Sequence, residues 1–563
     1  MIRTIIGFHL LLLSYFIFSQ STNIPLNADY YHLLDRYQIK SGKVGENYQN
    51  TFRPYKREAV AEFLSTISTI DSTEYSSVDL FNLSYLKRDN WEWIANADNQ
   101  SRKNLFKNFY KKQSDFYQVK TEDFDLHVNP VIYFGVGETS NDNRATFINT
   151  RGIEVRGMVD KKIGFYSYLG ENQARFPVYI RDYVSSNNVV PSEGFWKNFK
   201  TKEAYDFFTA RGYISFEATK HINFQFGHDR FFVGNGYRSL ILSDFAPAYL
   251  FFKINTNIWK LQYTNLFTQM KADAFGTGGG SLSGSRFPDK YVTFHHLGIN
   301  LTDNFNIGIF ESIAFGREDT LRNATFNLNY LNPVIFYRAI EQQGGSIDNA
   351  ILGLDFLWNL QRKFSIYGQV IIDELVVGEI FSGSGWWGNK QAVQLGIKYI
   401  DVLNLPNLDL QVEFNSVRPY TYSHETLFTN YAHYRQPLAH PMGANFKEWI
   451  AILRYQPFNK LNFTGKIIFN QYGADGIISN YGQNILLDDR THLNDFGNEI
   501  GQGIENELIF IDFTSSYHLK QNLFIDAKLI YRRNNSQLPG FDTENTHFAI
   551  SLRLNIPQRL QEF

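Results

Sequence analysis

The chain contains no cysteine. This excludes a disulfide framework, thiolate metal sites and a lipidated N-terminal cysteine. After residues 5–18 there is no further apolar run of the ~18 residues that a membrane helix needs, which argues against helical spans as the means of crossing a bilayer. Neither sign of charge is in excess: 54 Lys+Arg stand against 56 Asp+Glu, a net of -2. With a pI of about 6.7, there is no basic field for nucleic acid.

Catalytic motifs are missing as well. The glycine run Gly276 to Gly284 lacks the G-K-[ST] ending of a phosphate loop. His295 and His296 sit in a strand-like stretch, where consecutive side chains point to opposite faces and cannot share a metal. His424-Glu425 is not followed by a histidine at zincin spacing, and no G-x-S-x-G elbow occurs. The reading is therefore a protein without catalytic residues, metal or cofactor.

What the chain does have is aromatic side chains, 17% of the whole with 51 Phe and 34 Tyr, on a polar average (mean hydropathy -0.31). Strands with one apolar and one polar face dilute hydropathy in this way, and aromatic girdles mark the two interfaces of a membrane barrel. The last such strand shows the pattern best. Phe548, Ile550, Leu552, Leu554 and Ile556 share one face, and His547, Ala549, Ser551, Arg553 and Asn555 the other. The same alternation recurs from Phe124 onward in about 18 segments near spanning length. It predicts Asp409, Gln411, Glu413, Lys466 and Arg553 inside, with Leu410, Val412, Ile467 and Leu552 toward lipid. Connections alternate in length. Asp160-Lys161-Lys162, Thr256-Asn257, Asp303-Asn304 and Lys520-Gln521-Asn522 are tiny, whereas 173–205, 271–289, 318–347, 419–445 and 472–502 are long. Barrels of the outer membrane pair short periplasmic turns with long extracellular loops.

Residues 1–20 read as a signal peptide, with Arg3, an apolar run from Ile5 to Phe18, and Ser19-Gln20-Ser21 near the cleavage site. Residues 21–118 read as a small helical domain in the periplasm. Tyr30, Leu33, Leu34 and Tyr37 make one stripe ended by Gly42, and Pro54 opens a second helix carrying Val60, Phe63, Leu64 and Ile67. Asp79 caps a third helix, and Leu105, Phe106 and Phe109 mark a fourth piece. Residues 119–563 form the barrel. An even strand count leaves the helical domain in the periplasm, and it is expected to contribute no strand.

Three polar-aromatic stretches lie on outward connections: Gly227 to Asp244, Arg418 to Pro441, and Trp386-Trp387. Rings beside Asn, Asp and Arg are what a sugar-binding surface requires. Trp386, Trp387, Tyr420, Tyr422, His424, Tyr431, His433 and Arg435 are the candidate carbohydrate-binding residues. The other reading of the same residues is a plug folded into the lumen, or an aromatic belt.

Several of these stretches carry a family resemblance. Pro25-Leu26-Asn27 through Gly42, Arg53-Pro54-Tyr55, G-N-G-Y-R-S-L-I-L-S-D at 234–244, F-K-I-N-T at 252–256, N-P-V-I-F-Y-R at 332–338, R-P-Y-T-Y-S-H at 418–424, N-Y-A-H at 430–433 and Q-P-L-A-H-P at 436–441 resemble RemB-type gliding-motility proteins of Bacteroidota. That group is related to the Wzi-like capsule-assembly family. The resemblance implies an all-β transmembrane barrel of about 18 antiparallel strands with a periplasmic helical bundle. It further implies a non-enzymatic role in surface polysaccharide (capsule) assembly or attachment, or in gliding motility. The implied partners are outer-membrane lipid, capsule or exopolysaccharide, and gliding or envelope proteins, with no nucleic acid. A general diffusion porin is the alternative.

Overall fold

The structure, a computed structural model, describes residues 21–45, 50–67, 75–94, 98–101, 105–106, 108–273, 287–316, 326–333, 348–374 and 376–563. The expected signal segment 1–20, the glycine run, and most of the connections 271–289 and 318–347 lie outside the described residues.

Eighteen antiparallel strands close into a barrel. In chain order they are β1 Phe124–Thr139, β2 Asp142–Val159, β3 Ile163–Arg175, β4 Thr201–Thr219, β5 Ile222–Asp229, β6 Tyr249–Ile258, β7 Leu261–Lys271, β8 Asp289–Thr302 and β9 Phe305–Phe315. There follow β10 Asn349–Leu360, β11 Phe364–Glu374, β12 Lys390–Tyr399, β13 Leu408–Val417, β14 Phe446–Phe458, β15 Leu461–Ala474, β16 Ile504–Lys520, β17 Leu523–Ser536 and β18 Thr543–Leu554. The seam is β18 on β1, from His547 opposite Thr139 to Leu554 opposite Ile132.

Register follows the alternation. Asp409, Gln411, Glu413, Lys466 and Arg553 are all buried in the lumen, while Val393, Leu395, Trp449, Leu453, Ile467, Phe513, Phe548 and Ile550 are exposed on the outer wall. Leu552 faces outward but lies two residues before β18 ends at Leu554, whereas Phe548 is mid-strand. Arginine at Phe548 is therefore expected to cost about 2–4 kcal/mol and arginine at Leu552 about 0–1, as lipid-facing charges do at midplane and interface. Denaturant unfolding of the two variants in lipid vesicles checks this ordering.

The helical part spans the short-turn end. Helix α1, Ala28–Ser41, starts at Asn27, whose side chain accepts from the Asp29 and Tyr30 amides, and stops at left-handed Gly42. Helix α2 is Arg57–Ile67 and α3 is Ser77–Asp89. Ser76, not Asp79, caps α3; Asp79 sits three residues on and closes the capping box. The fourth piece is not α-helical among the described residues: bridges link Gln100 to Lys112 and Leu105 to Phe109. Tyr30, Tyr31, Leu34, Tyr37, Val60, Leu64, Leu83 and Leu86 form a common core, onto which Phe524 of the barrel packs.

Backbone and side-chain groups of this domain hold the short turns one by one. Val44 N–H donates to Asp303 O (2.7 Å), Asn82 to Gln456 (2.6 Å) and the Tyr85 hydroxyl to Asn522 (2.8 Å). Arg36 lies between Asp79, Asp401 and Asp409. Residues 50–56 then enter the lumen, where Phe52–Arg53 pairs with Phe232–Val233. Tyr117–Lys120 pairs with β1. The segment thus contributes short strands where none was expected. Each has its partner in the barrel's own chain, so no apolar alternation within the segment announces it.

Candidate functional site

The lumen is filled by side chains and backbone from the long-loop end. After Asp229 the chain leaves the wall, crosses the interior and rejoins it at Tyr249. Wall residues clasp this segment. Gln369 accepts from the Leu240 amide (2.8 Å) and donates to Val233 O (2.9 Å). Glu413 accepts from the amides of Tyr237 (2.6 Å) and Arg238 (3.0 Å) and from the Tyr367 hydroxyl (2.8 Å). These contacts account for the glycines of G-N-G-Y-R-S. Gly234 has φ +133, and a Cβ there would lie 2.4 Å from Gln369 Nε2; at Gly236 it would lie 2.6 Å from Glu413 Oε2.

The loop 418–445 lies over that segment. Tyr422 and Tyr431 stack at 5.7 Å, and their hydroxyls donate to Leu240 O and Ile241 O, each at 2.7 Å. The Tyr422 amide donates to Asp373 (2.7 Å). His433 Nδ1 accepts from the Lys271 amide (2.9 Å) while Nε2 faces Ala248 O (3.3 Å). Only a neutral ring protonated on Nε2 satisfies both. Burial pushes the His433 pKa down to about 3. His424, hydrogen-bonded to Thr429 Oγ1 (2.8 Å), is pushed down to about 4, chiefly by burial, with Lys390 adding to it.

A third piece is helix α4, Val178–Asn187, against which residues 555–563 run back into the barrel. Phe563 packs on Tyr183 and Phe245, Arg532 donates to Phe563 O (3.0 Å), and Glu562 pairs with Lys466.

The candidate carbohydrate residues therefore divide. Tyr422, Tyr431 and His433 are sealed in the lumen packing, with His424 nearly so. Arg435 reaches Asp273 (2.5 Å) on another part of the rim. Trp386, Trp387 and Tyr420 do come together at the long-loop end. Trp387 lies flat on His492, with ring centroids 4.1 Å apart and planes at 17°. Its edge meets Tyr420 at 6.2 Å, and Trp386 is 6.1 Å away. Both tryptophans are half-buried, whereas Tyr420 is buried beneath them, its hydroxyl donating to Asn480 O (3.0 Å). The ring of Trp386 covers Gly388, where a Cβ would lie 2.4 Å from it. Lys390 stands 5.3 Å from the Trp387 ring and pairs with Asp489 (2.5 Å). His492 bonds Asp489 O (2.8 Å) and the Asp495 carboxylate (2.9 Å). His492, Asp489 and Asp495 were missed by sequence reasoning, because their loop carries no dense aromatic motif. The rim thus presents two half-buried rings beside the exposed Asp495 carboxylate, with the Lys390–Asp489 ion pair buried beneath them, and among its described residues none stand at nucleophile–base geometry.

A family model described as capsule assembly protein Wzi matches residues 134–508. Among solved structures, Wzi of Escherichia coli is titled an outer membrane protein involved in group 1 capsule assembly and a carbohydrate binding β-barrel. It superposes with a TM-score of 0.58 at 12% identity, covering 95% of this chain and 100% of that one. At that identity the likeness establishes the fold and nothing finer. OprD of Pseudomonas aeruginosa aligns with a TM-score of 0.43 at 11% identity over 76% of this chain and 95% of its own. OccK8 (OprE) of the same species aligns at 0.44 and 8% over 77% and 98%. A search of curated proteins finds none that matches this chain.

Proposed function

This chain belongs to the family of the capsule assembly protein Wzi, and from that premise we propose that it is an outer-membrane barrel that holds a surface polysaccharide at the rim of its long-loop end. In this reading it binds polysaccharide and catalyses no reaction. The short turns and the helices of residues 21–118 face the periplasm, and the long loops face outward. The observation that carries the reading is the pairing of half-exposed Trp386 and Trp387 over His492 and Tyr420, with the exposed Asp495 carboxylate beside them and the buried Lys390–Asp489 pair fixing their floor. A ring packs on the apolar face of a sugar while polar neighbours take its hydroxyls, and weak contacts repeated along a polymer sum through multivalency. The binding surface is then Trp386, Trp387 and the groups around them. Tyr420 supports it from below, and Tyr422, Tyr431 and His433 hold the loop that carries it. The filled lumen counts against the porin alternative. A part in gliding, implied by the motifs at 234–244 and 418–424, fits the same activity: a barrel gripping exopolysaccharide at the cell surface.

The test is the double variant Trp386→Ala/Trp387→Ala. Each ring contact is worth roughly 0.5–1.5 kcal/mol, or about two- to tenfold in affinity per contact. Cells carrying the variant should shed surface polysaccharide while the barrel still migrates as a folded species. Tyr422→Phe, which cuts only the bond to Leu240, should keep the polysaccharide. Unchanged retention in the tryptophan variant, with increased entry of small solutes, would reassign the pair to sealing the lumen.

A further inference from the structure

The barrel wall has a gap on one side. Strand β5 ends at Asp229 and β6 begins at Tyr249, so the pairing of β4 on this side stops at Gly212 with His228 and resumes only higher up, where Lys197 lies opposite Asp206. On its other side β4 stays paired with β3 up to Tyr205 opposite Ala174. The stretch of β4 from Thr209 to Arg211 therefore presents a free edge. His228 reaches across it and bonds Ala210 O at 3.2 Å. The far side of the gap is closed by Tyr434, whose amide donates to Lys271 O (3.3 Å).

A cavity of about 440 Å³ passes through this edge. It is lined by the outward-facing Phe208, Ala210 and His228 and equally by the inward-facing Arg211 and Arg230. Side chains from both faces of one strand can line a single cavity only where that strand has lost its neighbour. Phe208 is 61% exposed and Phe195, above the gap, is 44% exposed. Ala210 lies about one spanning length, ~9–11 residues, up β4 from the turn at Lys220. The gap thus lies at the level where lipid head groups meet acyl chains. An open sheet edge is tolerated at membrane depth only where it lines a polar cavity.

The inner wall of this cavity is cationic beyond what its carboxylates neutralise. Arg53 and Lys398 share Asp35, and Arg559 takes Glu193. Arg211 and Arg230 form no ion pair among the described residues, and the buried Nε of each has no hydrogen-bond partner. Among the described residues the Arg230 guanidinium donates to Asp244 O alone (2.8 Å), and Arg211 lies over the Tyr168 ring at 4.6 Å.

We propose that this window admits, from the side of the membrane, the phosphorylated head group of a lipid. The phosphate is held by Arg211 and Arg230, and the acyl chains stay outside on Phe208, Phe195 and Leu250. Guanidinium donors match phosphate oxygens with paired, charge-assisted bonds, and the apolar outer lip suits the chains. The placement in depth rests on the barrel spanning the membrane with its long loops outward. Its failure is distinguishable from failure of the polysaccharide reading, because the tryptophan variant leaves the window untouched.

The experiment takes the full chain from vesicles of phosphatidylcholine with a minor fraction of phosphatidic acid and counts retained lipid by native mass spectrometry. Phosphatidic acid should be kept in preference to phosphatidylcholine. Arg211→Ala/Arg230→Ala should lose that preference by about tenfold, as the removal of charge-assisted bonds to phosphate implies, and the double lysine variant should restore part of it. Ala210→Trp fills the window from the lipid side without touching the arginines, so it should lose the lipid yet still bind inorganic phosphate. Equal retention of both lipids, or full retention in the double alanine variant with a folded barrel, overturns the proposal. Full lipid retention in Ala210→Trp, with displacement by inorganic phosphate, shows a free-anion site reached from water and overturns the lateral route.

Discussion

Replacing residues 231–247 and 421–440 by short Gly-Ser connectors is expected to turn a non-conducting barrel into an ion-conducting one. Barrels of 16 to 18 strands enclose an aqueous channel when nothing fills them. Here two internal segments fill it, and they are tied to each other through Tyr422 and Tyr431 and to the wall through Gln369 and Glu413. Planar-bilayer recording should show background current for the intact chain and open-pore conductance for the double replacement, with smaller openings for either alone. An unchanged background in the double replacement would mean that the helical domain by itself closes the barrel. The intact plug should also loosen in acid. The folded pKa values of His433, about 3, and His424, about 4, lie below the ordinary histidine value of about 6.5. The unfolded loop therefore binds protons first, and the stability this lends the plug is complete above pH 6.5 and declines as pH falls toward 4. Protonation of His433 also removes the acceptor used by the Lys271 amide. Brief openings should become frequent between pH 6 and 4, a range set by those two side chains.

Arg36→Ala should release the helical domain from the barrel. Its guanidinium is 2% exposed. It holds Asp79 of α3 (3.0 Å), Asp401 of a short turn (2.6 Å) and Asp409 of β13 together. Burial pushes the Asp79 carboxyl up, but Arg36 and Lys40 outweigh it and hold it below the usual carboxylate range. Removing the arginine leaves carboxylates with too little positive charge near them. Breaking a buried ion network in this way costs about 3–5 kcal/mol, a large share of the ~5–15 kcal/mol that keeps a domain folded. Hydrogen exchange should rise across 50–67 and 75–94 while the strands stay protected. Arg151→Ala, whose partner Glu171 is as exposed as Arg151 itself, should change nothing measurable. If exchange in the helices is unaltered in Arg36→Ala, docking rests on the apolar contacts with Phe524 instead.

The wall of the barrel was legible because alternation is local. In β13, Asp409, Gln411, Glu413 and Asn415 are buried and the residues between them half-exposed, as a period of two requires. The contents of the lumen were not legible in this way. The path of residues 230–248 is set by Gln369 and Glu413, more than a hundred positions away, and no nearby pattern encodes a loop turning inward rather than outward. The paired glycines Gly234 and Gly236 were the one local trace of close approach. The rim site was half legible. Trp386-Trp387 and Tyr420 stand out in the sequence, but His492, which completes the stack, is brought in by a loop about a hundred residues further on. In the helical part the stripes and the Gly42 stop read correctly, while Ser76 was overlooked because Asp79, three residues later, is as good a capping residue type.

The way the helices grip the short turns has a consequence for biogenesis. The contacts of α1 and α3 run to Asp401, Gln456 and Asn522, at sequence separations of 365, 374 and 437. A chain that emerges N-terminus first has its helices long before it has those turns. Contacts so far apart in sequence form late, and until then the apolar faces around Leu34, Val60 and Leu86 have no barrel to cover their margins. Docking therefore reports that the last short turn, between β16 and β17, is in place. A chain truncated before Asn522 should carry its helical segment undocked and open to periplasmic proteases, so that unfinished barrels are cleared while finished ones are spared.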